Sequence, residues 1–174
     1  MRFPGANFAV IPLATLVACS PVLDWREVQP EGGSLVAMFP CKADRYARGV
    51  MVGGTSLRME MHVCAAGGAT YALSHVDVPN PAVVAATLTE LRVVAAANLG
   101  GVEPHVVPLR ISGMTPNAEA AMLSISGKLP DGVAVWERAA FFAKGLRVYQ
   151  ASVIGANPPA DAVDTFFSGL RFPT

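Results

Sequence analysis

The side chains with the plainest chemical potential stand close together. Arg58, Glu60, His62 and Cys64 occupy alternate positions, and Tyr71, His75 and Asp77 follow shortly after. Imidazoles beside carboxylates can hold a metal or pass a proton at neutral pH. The elements that carry them decide whether they can meet. Over Ser56–Ala66, Leu57, Met59, Met61 and Val63 alternate with Arg58, Glu60, His62 and Cys64, the period of a half-buried strand. Gly67-Gly68 then predicts a two-residue hairpin turn into a strand over Ala69–Asp77. That turn sets Glu60 opposite His75 and Arg58 opposite Asp77. Such cross-strand pairs contribute about a few tenths of a kcal/mol each. A one-residue slip would carry Met59 and Met61 to the polar side, so both faces favour this register. Two readings of the face follow: a ligand or metal site, or an ordinary solvated surface. In the second, replacing His62 or His75 by alanine should change stability by no more than about 0.5 kcal/mol.

No other catalytic arrangement stands out. The third histidine, His105, lies far along the chain, and neither G-x-S-x-G nor G-x-G-x-x-G nor a P-loop is present. The glycine pairs beginning at Gly32, Gly53, Gly67 and Gly100 read as isolated turns. The composition thus gives no indication of a flavin, pyridoxal phosphate or nucleotide cofactor, and no cofactor is expected. Charged residues make up 15% of the 174 positions, with zero formal net charge, below the roughly 25% of an average soluble protein. With neither a basic patch nor a run of like charge, nucleic acid is not an expected partner.

The first segment, MRFPGANFAVIPLATLVAC, has Arg2 as its basic start and an apolar run from Phe8 to Ala18. As a helix that run would extend about 16 Å, roughly half a bilayer core, so it suits a secretory signal better than a membrane span. Leu16-Val17-Ala18-Cys19 resembles a bacterial lipobox. The resemblance implies cleavage before Cys19, acylation of its thiol, and membrane attachment through the N-terminal lipid. Ser20 occupies the position that resembles an outer-membrane sorting signal, which implies an outer-membrane lipoprotein facing the periplasm. In that oxidising space Cys41 and Cys64 most simply form a disulfide, worth roughly 3 kcal/mol by loop closure. Two buried thiols are the alternative. A cysteine–histidine metal site lacks the CxxC or HxxxH spacing it would need.

The division expected is a signal peptide over 1–18, a tether and lead-in over 19–33, and one α+β domain over 34–174. Trp25 in the lead-in is expected to pack on the domain. Strands are expected over Leu35–Pro40 and in the hairpin above, with a polar, glycine-containing stretch between them. Asn80 and Pro81 start a helix with Val84, Leu88, Leu91 and Ala95 on one stripe, ending at Gly100-Gly101. Strands over His105–Ile111, Ala118–Gly127, Val133–Ala143 and Leu146–Ile154 and a helix near Ala160–Ser168 complete the order β-β-β-α-β-β-β-β-α. That order implies an antiparallel sheet flanked by helices.

Phe39-Pro40 at the end of the first strand, Thr70-Tyr71-Ala72-Leu73-Ser74, the Ser112–Pro116 segment, Arg147-Val148-Tyr149-Gln150 and the closing Phe167–Phe172 resemble, in this sequence of elements, bacterial envelope proteins of the PsbP-like αβα-sandwich type. That group includes extrinsic photosystem II proteins and a Ran-binding import factor, and its members typically bind or assemble rather than catalyse. The resemblance implies a non-catalytic lipoprotein that binds a protein or envelope component. The alternative is a metal- or ligand-handling protein using the His62/His75 face.

Overall fold

A computed structural model describes residues 23–100 and 103–173. The expected signal peptide, lipobox, Cys19 and Ser20 lie outside the described residues. The chain is α+β, with antiparallel sheets and two α-helices. A short ribbon pairs β1 (Arg26–Val28) with β2 (Ala37–Phe39). The main sheet follows: β3 (Asp44–Val52), β4 (Thr55–Ala66), β5 (Ala69–Asp77), then helix α1 (Val84–Asn98), β6 (His105–Pro108), β7 (Ala121–Lys128), β8 (Ala134–Lys144) and β9 (Arg147–Gly155), with α2 (Ala160–Ser168) last. Its seven strands lie in the order β3-β4-β5-β9-β8-β7-β6, so two meanders join where β5 pairs antiparallel with β9.

The β4–β5 register is the one expected, with Glu60 opposite His75 and Ala66 opposite Ala69 around the Gly67-Gly68 turn. Both turn glycines have positive φ, 58° and 75°, as a type I′ hairpin turn requires. Gly53-Gly54 does the same between β3 and β4. The stretch expected to be irregular is therefore a nine-residue strand. The observed order adds β1 and β3 to the expected one, and the lead-in from residue 23 onward is itself structured. Asp24 donates its N–H to the Pro40 carbonyl, and Trp25 packs on the core.

Helix α1 begins as expected, after a single 3₁₀ turn at Pro81–Val83 in which the Asn80 side chain accepts from Ala82 N–H. Its buried stripe is Val84, Leu88, Leu91 and Ala95, with Thr87. The stripe lies mainly over β8 and β9, against Val76, Leu123, Phe141 and Val148. The opposite face of the sheet carries a second core. There the β1–β2 ribbon, α2 and the C-terminal Leu170 and Phe172 cover Tyr71, Leu73, Phe142 and Tyr149. Phe166 of α2 seals it, edge-on to Phe39 and to Tyr71. Cys41 and Cys64 are joined by a disulfide with a Cα separation of 5.9 Å, fixing the segment after β2 to β4. No helix among the described residues is long and apolar enough to cross a membrane.

Candidate functional site

Strand alternation puts the expected polar face of the first hairpin under the ribbon and α2, not in solvent. Cys64, Tyr71 and Leu73 lie in the core there. His62 and His75 are only 6% and 3% exposed. The solvated surface considered from the sequence is therefore corrected to a buried polar margin of a core. The local pattern shows which way side chains point, whereas coverage comes from residues distant in the chain.

The charged groups at the edge of that margin are engaged locally. Arg147 Nε and Nη2 donate to the two oxygens of Asp77, both at 2.7 Å. These donated bonds hold the Asp77 carboxyl below its ordinary range. Asp77 thus pairs with Arg147 on β9. Arg58, expected opposite it, instead leans along its own strand toward Glu60, at 3.4 Å. Arg147 also donates to the Glu31 carbonyl at 2.7 Å, and Arg45 bridges to the Glu31 carboxylate at 3.0 Å. Residues 30–33 are so held down against β9. The approach is close enough that a Cβ on Gly33 would come within 2.9 Å of Arg147 Nη1 and 3.0 Å of the Tyr149 hydroxyl.

Beneath this cover His75 Nε2 stands 4.0 Å from Glu60, beyond hydrogen-bond length. Its Nδ1 is buried without a partner among the described residues, and its ring lies 5.9 Å from that of Tyr149. Burial, helped by Arg147, lowers the His75 pKa. Burial and then Arg45 lower that of His62. Both imidazoles are therefore neutral at pH 7. The buried Tyr71 hydroxyl has no partner among the described residues, and burial raises its pKa, with Asp161 adding to the effect. Among the described residues no three His, Cys, Asp or Glu side chains converge as metal ligands.

The α1 side of the sheet differs. Because α1 sits over β8 and β9, the flank toward β3 is uncovered. A groove of about 460 Å³ runs there between the helix and the strands. Met59, Met61 and Val50 wall it, and Leu91 and Val94 of α1 face them. Its floor is polar and uncharged, formed by Ser74, Gln150 and Ser152. The Ser74 hydroxyl donates to the Gln150 carbonyl at 3.4 Å. The Gln150 amide and Ser152 hydroxyl make no side-chain hydrogen bond among the described residues. Arg48, Glu90 and Asn98 stand around the groove. Glu90 is already engaged, accepting the Gly53 N–H at 2.6 Å and tying α1 to the β3–β4 turn. An apolar wall around a few neutral hydrogen-bonding groups is the common constitution of a small-molecule site, and methionine walls adapt to varied shapes.

The sequence reading missed this groove. Met59 and Met61 were visible as an apolar stripe, but Gln150 and Ser152 lie some ninety residues away and join them only through the β5–β9 pairing. The same face holds one further polar group. Glu137 on β8 is 7% exposed, its carboxyl makes no hydrogen bond or ion pair among the described residues, and burial pushes its pKa up to about 7.

No family model matches the chain, and no curated protein matches it. A solved structure from Bacteroides thetaiotaomicron VPI-5482 is similar over 81% of this chain and 46% of its own, at 7% identity and a TM-score of 0.43. The chain thus spans less than half the length of that protein, and a likeness at that level carries no argument.

Proposed function

We propose that this chain is an envelope lipoprotein, acylated at Cys19, that binds a neutral and largely apolar envelope component in the groove beside α1 without catalysing a reaction. The observation that carries this reading is the groove. It is the place on the main sheet where an adaptable apolar wall meets unengaged amide and hydroxyl groups. The uncharged floor favours an ester, amide or hydroxyl on the ligand over a phosphate or carboxylate, because a buried charge without a partner is costly. The PsbP-like reading agrees with a sheet covered by a helix on each face, and with the absence of a shared catalytic motif in that group.

Placement in the outer membrane, facing the periplasm, rests on Leu16-Val17-Ala18-Cys19 and on Ser20. The Cys41–Cys64 disulfide supports export, since such bonds persist in oxidising compartments. The alternative, metal or ligand handling at His62 and His75, draws support from the unpartnered Nδ1 of His75, but residues 30–33 stand over that margin.

Two measurements test the reading. Mass spectrometry of the native N-terminal peptide should find acyl mass on Cys19, and Cys19→Ser should block processing. A clipped but unacylated Cys19, or an intact Met1 start in the envelope fraction, contradicts the location. For the groove, a photo-reactive side chain at the exposed Val94 of α1, on its rim, should give a discrete adduct in the native envelope. The same group at Leu146, away from the groove, should not. Equal labelling at both positions contradicts the binding site.

A further inference from the structure

The main sheet ends in two unlike edges. β6 is four residues long and closes on Pro108, which has no N–H to offer. Short strands and prolines are devices that keep an edge from pairing. β3, at the other edge, is nine residues long, without proline, lysine or bulge: its partners on β4 run one-for-one from Asp44↔Val63 to Val52↔Thr55. Its outer row of backbone groups pairs with no strand of the described chain. Residues 44–49 are all exposed, Tyr46 at 54%.

The charges on β3 are arranged around Tyr46. Asp44 and Arg48 stand two positions to either side, so all three side chains share the groove face of the sheet. Among the described residues neither Asp44 nor Arg48 has an ion-pair partner, whereas Arg45, on the other face, is engaged by Glu31 and Glu60.

Two antiparallel copies of one strand can pair only with a residue opposite its own copy, because directly opposed residues must turn their backbone groups alike, both toward the partner strand or both away from it. That leaves a short set of registers. Centring on Asp44, Arg45 or Arg48 sets a charge against itself, and centring on Ala47 or on any position from Gly49 to Val52 sets no charge of β3 opposite another. Centring on Tyr46 sets Asp44 opposite Arg48 of the second copy, twice by symmetry. It also places the two Tyr46 rings side by side and Arg45 against Ala47.

We propose that β3 is the seam of a two-fold homodimer, paired antiparallel about Tyr46, which joins the two main sheets into one. The interface is isologous and closed. It neutralises Arg48 at the groove rim and places the two grooves on one continuous face. This inference is independent of what the groove binds.

Charge exchange tests it. Sedimentation of the full chain, kept in detergent so that an acylated N-terminus does not aggregate it, should show a dimer. Asp44→Arg and Arg48→Asp should each weaken association by about tenfold or more, since each converts two attractive cross-strand pairs into repulsive ones. Mixing the two single variants should restore the dimer, because the two cations of the Asp44→Arg chain then face the two anions of the Arg48→Asp chain. The double variant, with both charges exchanged, should dimerise alone. All these positions are exposed, so the fold is retained. A monomeric parent chain, single variants that associate as the parent does, or a mixture and double variant that both stay monomeric would overturn the proposal.

Discussion

The two faces of the main sheet make opposite use of similar materials. One carries His62, His75, Glu60, Asp77 and Tyr71, a list that reads as chemistry, yet the ribbon, residues 30–33 and α2 cover its two histidines and its tyrosine. The other carries serines, a glutamine and methionines, a list that reads as filler, yet it is the one left open beside α1. The difference lies in coverage. Helix α1 follows the strands where its apolar stripe fits, over β8 and β9, and leaves a groove on the side toward β3. On the opposite face several short segments share the work, so little of it is bare. A polar side chain in this fold is a site candidate only where no element lies above it.

That contrast can be broken by substitution. The largest effect is expected at Phe166, the fully buried ring that seals the histidine face. Phe166→Ala should cost about 3–5 kcal/mol in denaturant unfolding. A loss below about 1 kcal/mol would mean that α2 is not part of the seal. Next comes the disulfide. Reduction, or Cys41→Ser, should cost roughly 3 kcal/mol by the loop-closure argument and lower the melting temperature. An unchanged melting temperature would show that the bridge does not constrain the domain.

The acid–base behaviour of the two faces should run in opposite directions. Glu137, on the α1 face, has its pKa raised from an ordinary 4.5 to about 7. The folded state therefore holds its proton more tightly than the unfolded state. Its penalty is absent below 4.5, grows as pH rises, and is complete above about 7. Glu137→Gln should thus gain on the parent protein by on the order of 2–3 kcal/mol across that window. A flat difference between the two would remove Glu137 from the buried set. On the other face the lowered pKa values of His62 and His75 give the reverse sign. Their contribution is present above the ordinary 6.5 and is lost as pH falls below it. The smallest effect belongs to the Asp77–Arg147 pair, whose aspartate is 60% exposed. Asp77→Asn should cost less than about 1 kcal/mol at pH 7. Because the Asp77 pKa is lowered, that difference should fade as pH drops below the ordinary 3.8.

Much of the local structure was legible. Gly67-Gly68 set the β4–β5 register, Asn80-Pro81 marked the start of the helix, and the Cys41–Cys64 bridge formed as expected. The Gly53-Gly54 pair carries the same turn signal, but Asp44, Arg45 and Arg48 hid the strand before it. An edge strand exposed on both faces has no buried side to impose alternation. β1 is three residues long and exists by pairing with β2. Neither the seal over His75 nor the groove could be read locally. The first depends on Gly33 resting against Tyr149, the second on Met61 and Ser152 being brought together by three strands.

The central claim is that the open α1 face binds and the histidine face packs. Titration with N-phenyl-1-naphthylamine, an apolar probe with one neutral N–H, compares them directly. Fluorescence should rise saturably with the parent protein. It should do so unchanged with His75→Asn, and should be lost with Ala72→Phe, since Ala72 lies opposite Ser152 in the groove lining and the added ring fills the floor while near-native melting shows the fold intact. Binding that survives Ala72→Phe and disappears with His75→Asn would contradict the account.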